Sequence, residues 1–234
     1  MASLIVSGVL EIAVPLILGL MLRRRLKVSW KTYVVGCIMF AVSLVRMPLN
    51  YAVSQTLETT LSGAMLRFLL LAFPSLTAGI FEESARFAAF RLLVKERSWE
   101  NGVMYGAGHG GFESIFLVGV SVLSTAIVIT LFPSMLPSEQ LQAIAALPVH
   151  LPLVSLYERL MAITIQIGLS VLVLQCFIHM RFIYLWYAIA IHFAIDYVAL
   201  ALAQFGVLYS ELAATAFAAA FYFYIRSTRP ARTF

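Results

Sequence analysis

Glu82, Glu83 and Arg86 lie in Thr77-Ala-Gly-Ile-Phe-Glu-Glu-Ser-Ala-Arg-Phe-Ala-Ala-Phe90, in the middle of a long apolar run. Adjacent carboxylates in hydrocarbon cost several kcal/mol unless they are paired, protonated or turned to water, so an intramembrane cluster of this kind marks a functional site by default. Two further apolar runs carry His109-Gly-Gly-Phe-Glu113 and His192-Phe-Ala-Ile-Asp196. Residues four apart share a helix face, so Glu82 with Arg86, His109 with Glu113, and His192 with Asp196 each project to one place. Glu82 and Glu83 are separated by about 100° around the helix, which gives them different roles. Arg86 is within reach of both, and the expectation is that it holds one carboxylate charged while the other faces a cavity. Carboxylates and imidazoles gathered this way are equipped to move protons and to stabilise developing charge, as hydrolysis requires.

The elements that position these groups follow from composition. With 62% hydrophobic and 12% charged residues, the chain is no ordinary soluble domain. An all-α, polytopic transmembrane bundle is expected, forming one integral-membrane domain over 1–234. Seven spans of about 20 residues or more can be read, at 3–22, 31–50, 64–94, 102–132, 153–178, 184–204 and 208–226. The first is followed by Arg23-Arg24-Arg25-Leu26-Lys27, the reverse of a cleavable signal, and reads as a retained helix. Glu83 lies twelve residues from Lys95, Glu113 twelve from Asn101 and Asp196 twelve from Tyr184, with His109 and His192 eight residues in. At the helical rise, three helices place ionisable groups in one layer, roughly 12–18 Å from one set of helix ends. Scattered structural charges would not align in this way.

The formal charge of +5 follows the positive-inside pattern and carries no nucleic-acid signature. Basic residues fill alternate connections and the tail (Arg226, Arg229, Arg232), whereas 51–63, 133–152 and 205–207 hold neither Lys nor Arg. The N-terminus is therefore expected outside and the C-terminus in the cytoplasm, in a bacterial or archaeal cytoplasmic membrane. Residues 51–63 read as a polar outer loop, and 133–152 as a loop with a short interfacial helix that could act as a lid. Gly102, Gly106 and Gly110 form overlapping G-x-x-x-G steps suited to close helix packing. The run Gly108–Gly111 around His109 suggests access of water or substrate to the backbone instead. Glu11 lies at a depth where Arg46 could neutralise it. Glu158-Arg159 reads as a self-compensating pair or part of an outer gate. Arg67 can snorkel, Tyr184, Trp186 and Tyr187 look like an interfacial belt, and Cys37 and Cys176 read as small packing residues.

Glu82-Glu83-x-x-Arg86, Gly106-x-Gly108-His109-Gly110-Gly111-x-Glu113 and His192-x-x-x-Asp196 resemble the YhfC-type intramembrane peptidases, within the wider CAAX-protease and bacteriocin-processing (CPBP) group of glutamate-type membrane proteases. The same helices bear a more distant likeness to the APH-1 scaffold subunit of gamma-secretase. The resemblance implies Glu82 as the general base, with His109 and His192 polarising the carbonyl and stabilising its oxyanion, although the choice between Glu82 and Glu83 stays open. Asp196 stands where CAAX-type members carry Asn. An ionised Asp cannot donate to an oxyanion, so Asp196 is expected to orient His192 or adjust its charge. The first motif spaces Arg86 three residues after the second Glu rather than four, which argues against prenyl-protein processing. The expected function is an endopeptidase acting on a membrane-embedded or membrane-proximal peptide or protein in a cavity open to the cytoplasmic half. No cofactor is expected. A zinc-dependent version would use His109, Glu113 and His192. The competing classes are a non-catalytic scaffold or immunity-type binder and a proton-coupled carrier.

Overall fold

Seven helices long and apolar enough to cross a membrane succeed one another in the computed structural model, which describes residues 2–230. Arg232 of the basic tail lies outside the described residues. The elements are α1 (Ala2–Leu26), α2 (Trp30–Ser43), α3 (Arg46–Thr60), α4 (Gly63–Leu92), α5 (Trp99–Glu113), α6 (Val120–Leu131), α7 (Ser138–Ala145), α8 (Leu151–Ile178), α9 (Ile183–Ala203) and α10 (Val207–Ser227). A π-helical segment, Ser114–Gly119, joins α5 to α6 within the fourth span. The chain is thus an all-α integral membrane protein.

The second span departs from expectation. It runs from Trp30 to Thr60 but is broken at Leu44–Val45, and most of the expected outer loop at 51–63 is helical. Pro48 explains the break. It has no N–H to offer the Leu44 carbonyl four residues back, and its ring collides with a carbonyl in that position. The chain tightens instead: Leu44 and Val45 donate to Ala41 and Val42, and Met47 donates to the freed Leu44 carbonyl at 2.8 Å. Pro48 then sits in the first turn of α3, where no N–H is needed.

The core is built around α5 and α8. Residues 165–176 of α8 are buried without interruption, and Phe90, Tyr105, Leu169, Ala188 and Phe221 draw α4, α5, α8, α9 and α10 into one cluster. The glycines of α5 permit backbone contact on two sides. A Cβ at Gly106 would fall on the Ile167 Cα of α8, and one at Gly108 on the Tyr33 carbonyl of α2. The 102/106/110 face is therefore a packing face, as expected. The run 108–111 serves packing as well, with His109 fully buried, so the expected opening to water at this run is overturned. Residue type alone could not tell an open backbone from one covered by another helix. The short helix expected in 133–152 is α7, and the cavity beside it is lined by α1, α6, α7, the 147–149 connection and Pro152 of α8, and by no member of the acidic cluster. It does not cover the site as a lid.

Candidate functional site

The α4, α5 and α9 helices bring their ionisable groups to one point, as their common depth predicted. Glu82 is the hub. Its Oε2 lies 3.0 Å from His109 Nε2 and 3.9 Å from His192 Nε2, and Oε1 lies 2.8 Å from Arg46 Nη2. Gln166 Nε2 donates to the same Oε2 at 3.3 Å. Glu83, one residue on, faces a different set: His192 Nδ1 at 2.7 Å and Arg86 Nε at 3.1 Å. The two carboxylates thus divide the environment, as the 100° step between them requires. Glu82 is 3% exposed and Glu83 not at all.

Arg86 pairs with Glu83 and leaves Glu82 to Arg46. Its remaining donors bond the Gln166 carbonyl (2.7 Å), the Gln166 side-chain oxygen (2.6 Å) and the Ser170 hydroxyl. This fully buried guanidinium fastens α4 to α8, and it holds Gln166 with its amide NH₂ turned toward the acids. That NH₂ also donates to Glu113 at 3.1 Å, while the other Glu113 oxygen accepts from Arg159 at 2.9 Å. Arg159 bonds Glu158 too. Glu158-Arg159 is therefore part of a chain, Glu158–Arg159–Glu113–Gln166–Glu82, and not a closed pair.

The expected Glu11–Arg46 pairing is overturned. Arg46 lies on Glu82, and Glu11 is held by the Ser155 and Ser7 hydroxyls at 2.8 and 3.2 Å. Depth matching assumed a straight second span, whereas the break at Leu44–Val45 gives α3 its own course, with Arg46 in its first turn.

His192 is anchored at Nδ1 by Glu83, which turns Nε2 toward Glu82 and toward Asp196 Oδ2 at 3.6 Å. Glu83 thus makes the bond that fixes the ring, one of the two roles expected of Asp196, which lies close enough to Nε2 for the other, adjusting the charge of His192. Asp196 stands on the other side of the imidazole, on the wall of a cavity of about 510 Å³. Arg46, Asn50, Ser75, Ala78 and Glu158 line the same cavity. It lies between α3, α4 and α9, and its rim residues Met47, Tyr51 and Leu200 are exposed on the lipid-facing surface. It extends toward the bundle end that holds the Lys- and Arg-free connections, where a cavity open to the opposite, cytoplasmic half was expected. His109 closes the packed side, edge-on to Phe40.

A transmembrane bundle with paired acids and imidazoles buried at the foot of a lipid-edge cavity defines an integral-membrane protein built around an internal polar centre. The family described as YhfC intramembrane metalloprotease matches residues 10–218, and the chain belongs to that family. It is 32% identical to the uncharacterized membrane protein YhfC of Bacillus subtilis (strain 168), over 81% of this chain and 80% of that protein.

The family description implies a metal ion. Two imidazoles and nearby carboxylates are the donor types zinc takes, and a carboxylate on the far nitrogen of His192 is the usual support for a metal-bound histidine. The donor set fits such an ion in kind. In arrangement, these groups bond one another, and among the described residues no set of three His, Cys, Asp or Glu encloses a metal position. The set expected from sequence, His109, Glu113 and His192, is not brought together as one among the described residues: Glu113 bonds Gln166 and Arg159.

Proposed function

We propose that this protein is an intramembrane endopeptidase in which Glu82 activates water against a peptide bond of a membrane-embedded or membrane-proximal substrate. The observation that carries the reading is the position of Glu82: both histidines and a cavity-lining arginine converge on this one carboxylate. Substrate reaches it from the cavity between α3, α4 and α9, past Asn50 and Asp196. A water there gives its proton to Glu82, its oxygen attacks the scissile carbonyl carbon, and the carbonyl electron pair moves onto oxygen. His192 donates to that oxyanion from Nε2, and His109 holds Glu82 Oε2. The proton on Glu82 then passes to the leaving nitrogen as the C–N bond breaks, which restores the carboxylate. Arg46 fixes Glu82 Oε1, while Glu83 and Arg86 position His192. A general base contributes about 10²–10⁴-fold, and donors pre-set in a dry site add to this.

The test compares protein N-termini in membranes of a related host that expresses wild type or Glu82→Gln at matched levels. Cleavage sites seen only with wild type are expected. Identical profiles from two folded proteins would turn the reading to the scaffold. A second reading, a zinc-dependent form of the same peptidase, is supported by the Glu83–His192 bond and by the family's description. In that form the two histidines and a neighbouring carboxylate would have to leave their present bonds to hold the ion, which would polarise the carbonyl and acidify water. Stoichiometric zinc that disappears in His192→Ala would establish it. Full activity in metal-free protein would end it.

A further inference from the structure

A second buried carboxylate lies away from this centre. Glu11, in the middle of α1, is fully buried, and its Oε2 has no hydrogen-bond partner among the described residues. Its Oε1 accepts from the Ser155 hydroxyl of α8 at 2.8 Å and the Ser7 hydroxyl at 3.2 Å. Ser7 has a single proton, shared between Oε1 and the nearer Pro152 carbonyl in the first turn of α8. Pro15 leaves the Glu11 carbonyl without an α-helical donor, and Ser114 of the π segment bonds it at 3.0 Å. No basic group lies within ion-pair distance of Glu11 among the described residues. Arg159, one turn along α8 from Ser155, is taken by Glu113 and Glu158.

An unpaired charge in this setting is costly. A proton on Oε1, accepted by the Ser7 oxygen while Ser7 donates to Pro152, would cancel the charge but would still leave Oε2 a buried acceptor without a donor. We propose that Glu11, Ser7, Ser155 and the Pro152 carbonyl bind a monovalent alkali cation. All four groups offer hard oxygens, which suit alkali and alkaline-earth ions and not soft metals. One carboxylate cancels one positive charge. A divalent ion would leave a net charge buried beside α1, at a large desolvation cost. Bound there, the alkali cation ties α1 to the entry of α8. The site is independent of the peptidase reading, since none of its four groups bonds Glu82 or either cluster histidine.

The experiment measures the melting temperature of purified wild type in detergent, titrated with NaCl, KCl or choline chloride at constant ionic strength. A saturable rise with NaCl or KCl, absent with choline and lost in Glu11→Gln, is expected. Ser155→Ala keeps the charge and the fold-bearing contacts of α1, so it serves if Glu11→Gln does not fold. It is expected to raise the half-saturating salt concentration about tenfold. Equal melting temperatures in all three salts would overturn the proposal. So would an unchanged salt response in Glu11→Gln or Ser155→Ala. A protonated-carboxyl infrared band in wild type that salt does not remove and Glu11→Gln lacks would assign a proton instead.

Discussion

The two halves of the second span are covalently continuous and physically unlike. The α2 helix buries Thr32, Tyr33, Gly36, Phe40 and Ser43, whereas α3 buries no residue at all. The α2 helix lies backbone to backbone on α5, with Gly36 against Tyr105 and His109 and Gly108 against Tyr33. The α3 helix packs on α4, where Thr77 donates to Asn50 at 2.8 Å and Arg46 reaches Glu82. The difference teaches how a buried polar centre can sit in a bilayer. One wall, carrying His109 and Phe40, is closely packed and buried. The opposite wall is thinly attached and faces lipid, and it carries the polar groups of the cavity.

The contrast can be broken most severely at the tight wall. Gly108→Val would drive a side chain into the Tyr33 backbone, an overpacking cost of ~3 kcal/mol or more because neither helix can yield. Loss of monodisperse folded protein in size-exclusion chromatography is expected, and a normal melting curve would show that the α2–α5 seam is looser than described. At the thin wall the largest effect falls on activity. Arg46→Gln removes the charge that fixes Glu82, and a loss of about 10²–10³ in kcat is expected with the melting temperature nearly unchanged. A fall in stability that matches the fall in activity would instead make Arg46 a packing element.

Thr77→Val tests the attachment of α3 alone. It deletes the bond to Asn50, worth ~1 kcal/mol, and should speed amide hydrogen exchange in 46–60 while leaving 30–43 as it was. Exchange that quickens equally in both halves would show that the break at Leu44–Val45 does not separate them. The smallest change is expected for Leu49→Ala on the exposed face of α3, within about 0.5 kcal/mol of wild type by thermal melting.

Much of this architecture was legible because polar residues are so costly in an apolar chain. Glu82, Glu83, His109, His192 and Asp196 stood out by type and depth, and the structure gathers them. Arg46 was equally visible, yet it was matched to Glu11. Depth along straight helices cannot register a break, although Pro48 two residues on was the available signal. Gln166 and Ser170 carry no charge and so give no such signal, even though they repeat the i, i+4 step of the charged pairs. The glycines around His109 are the reverse case. Their number was plain, but whether a bare backbone meets water or another helix depends on a partner 75 residues earlier in the chain for Gly108 and Tyr33.

The π segment has a consequence for how this sequence can change. Its i→i+5 bonding accommodates one more residue per turn than an α-helix. Deleting a single residue within Ser114–Gly119 would let the helix run on regularly with α6 in place, whereas relaxing the segment to α-helix with every residue kept would rotate α6 by about 100° relative to α5. Ala126, the buried residue of α6, would leave its present face, and Gly119 would lose its place against Gly8 and Ile12. The upstream histidine and its carboxylate neighbours would keep their positions. The fourth span therefore holds two registers, one set by the polar centre and one by α1, and a one-residue insertion is what reconciles them.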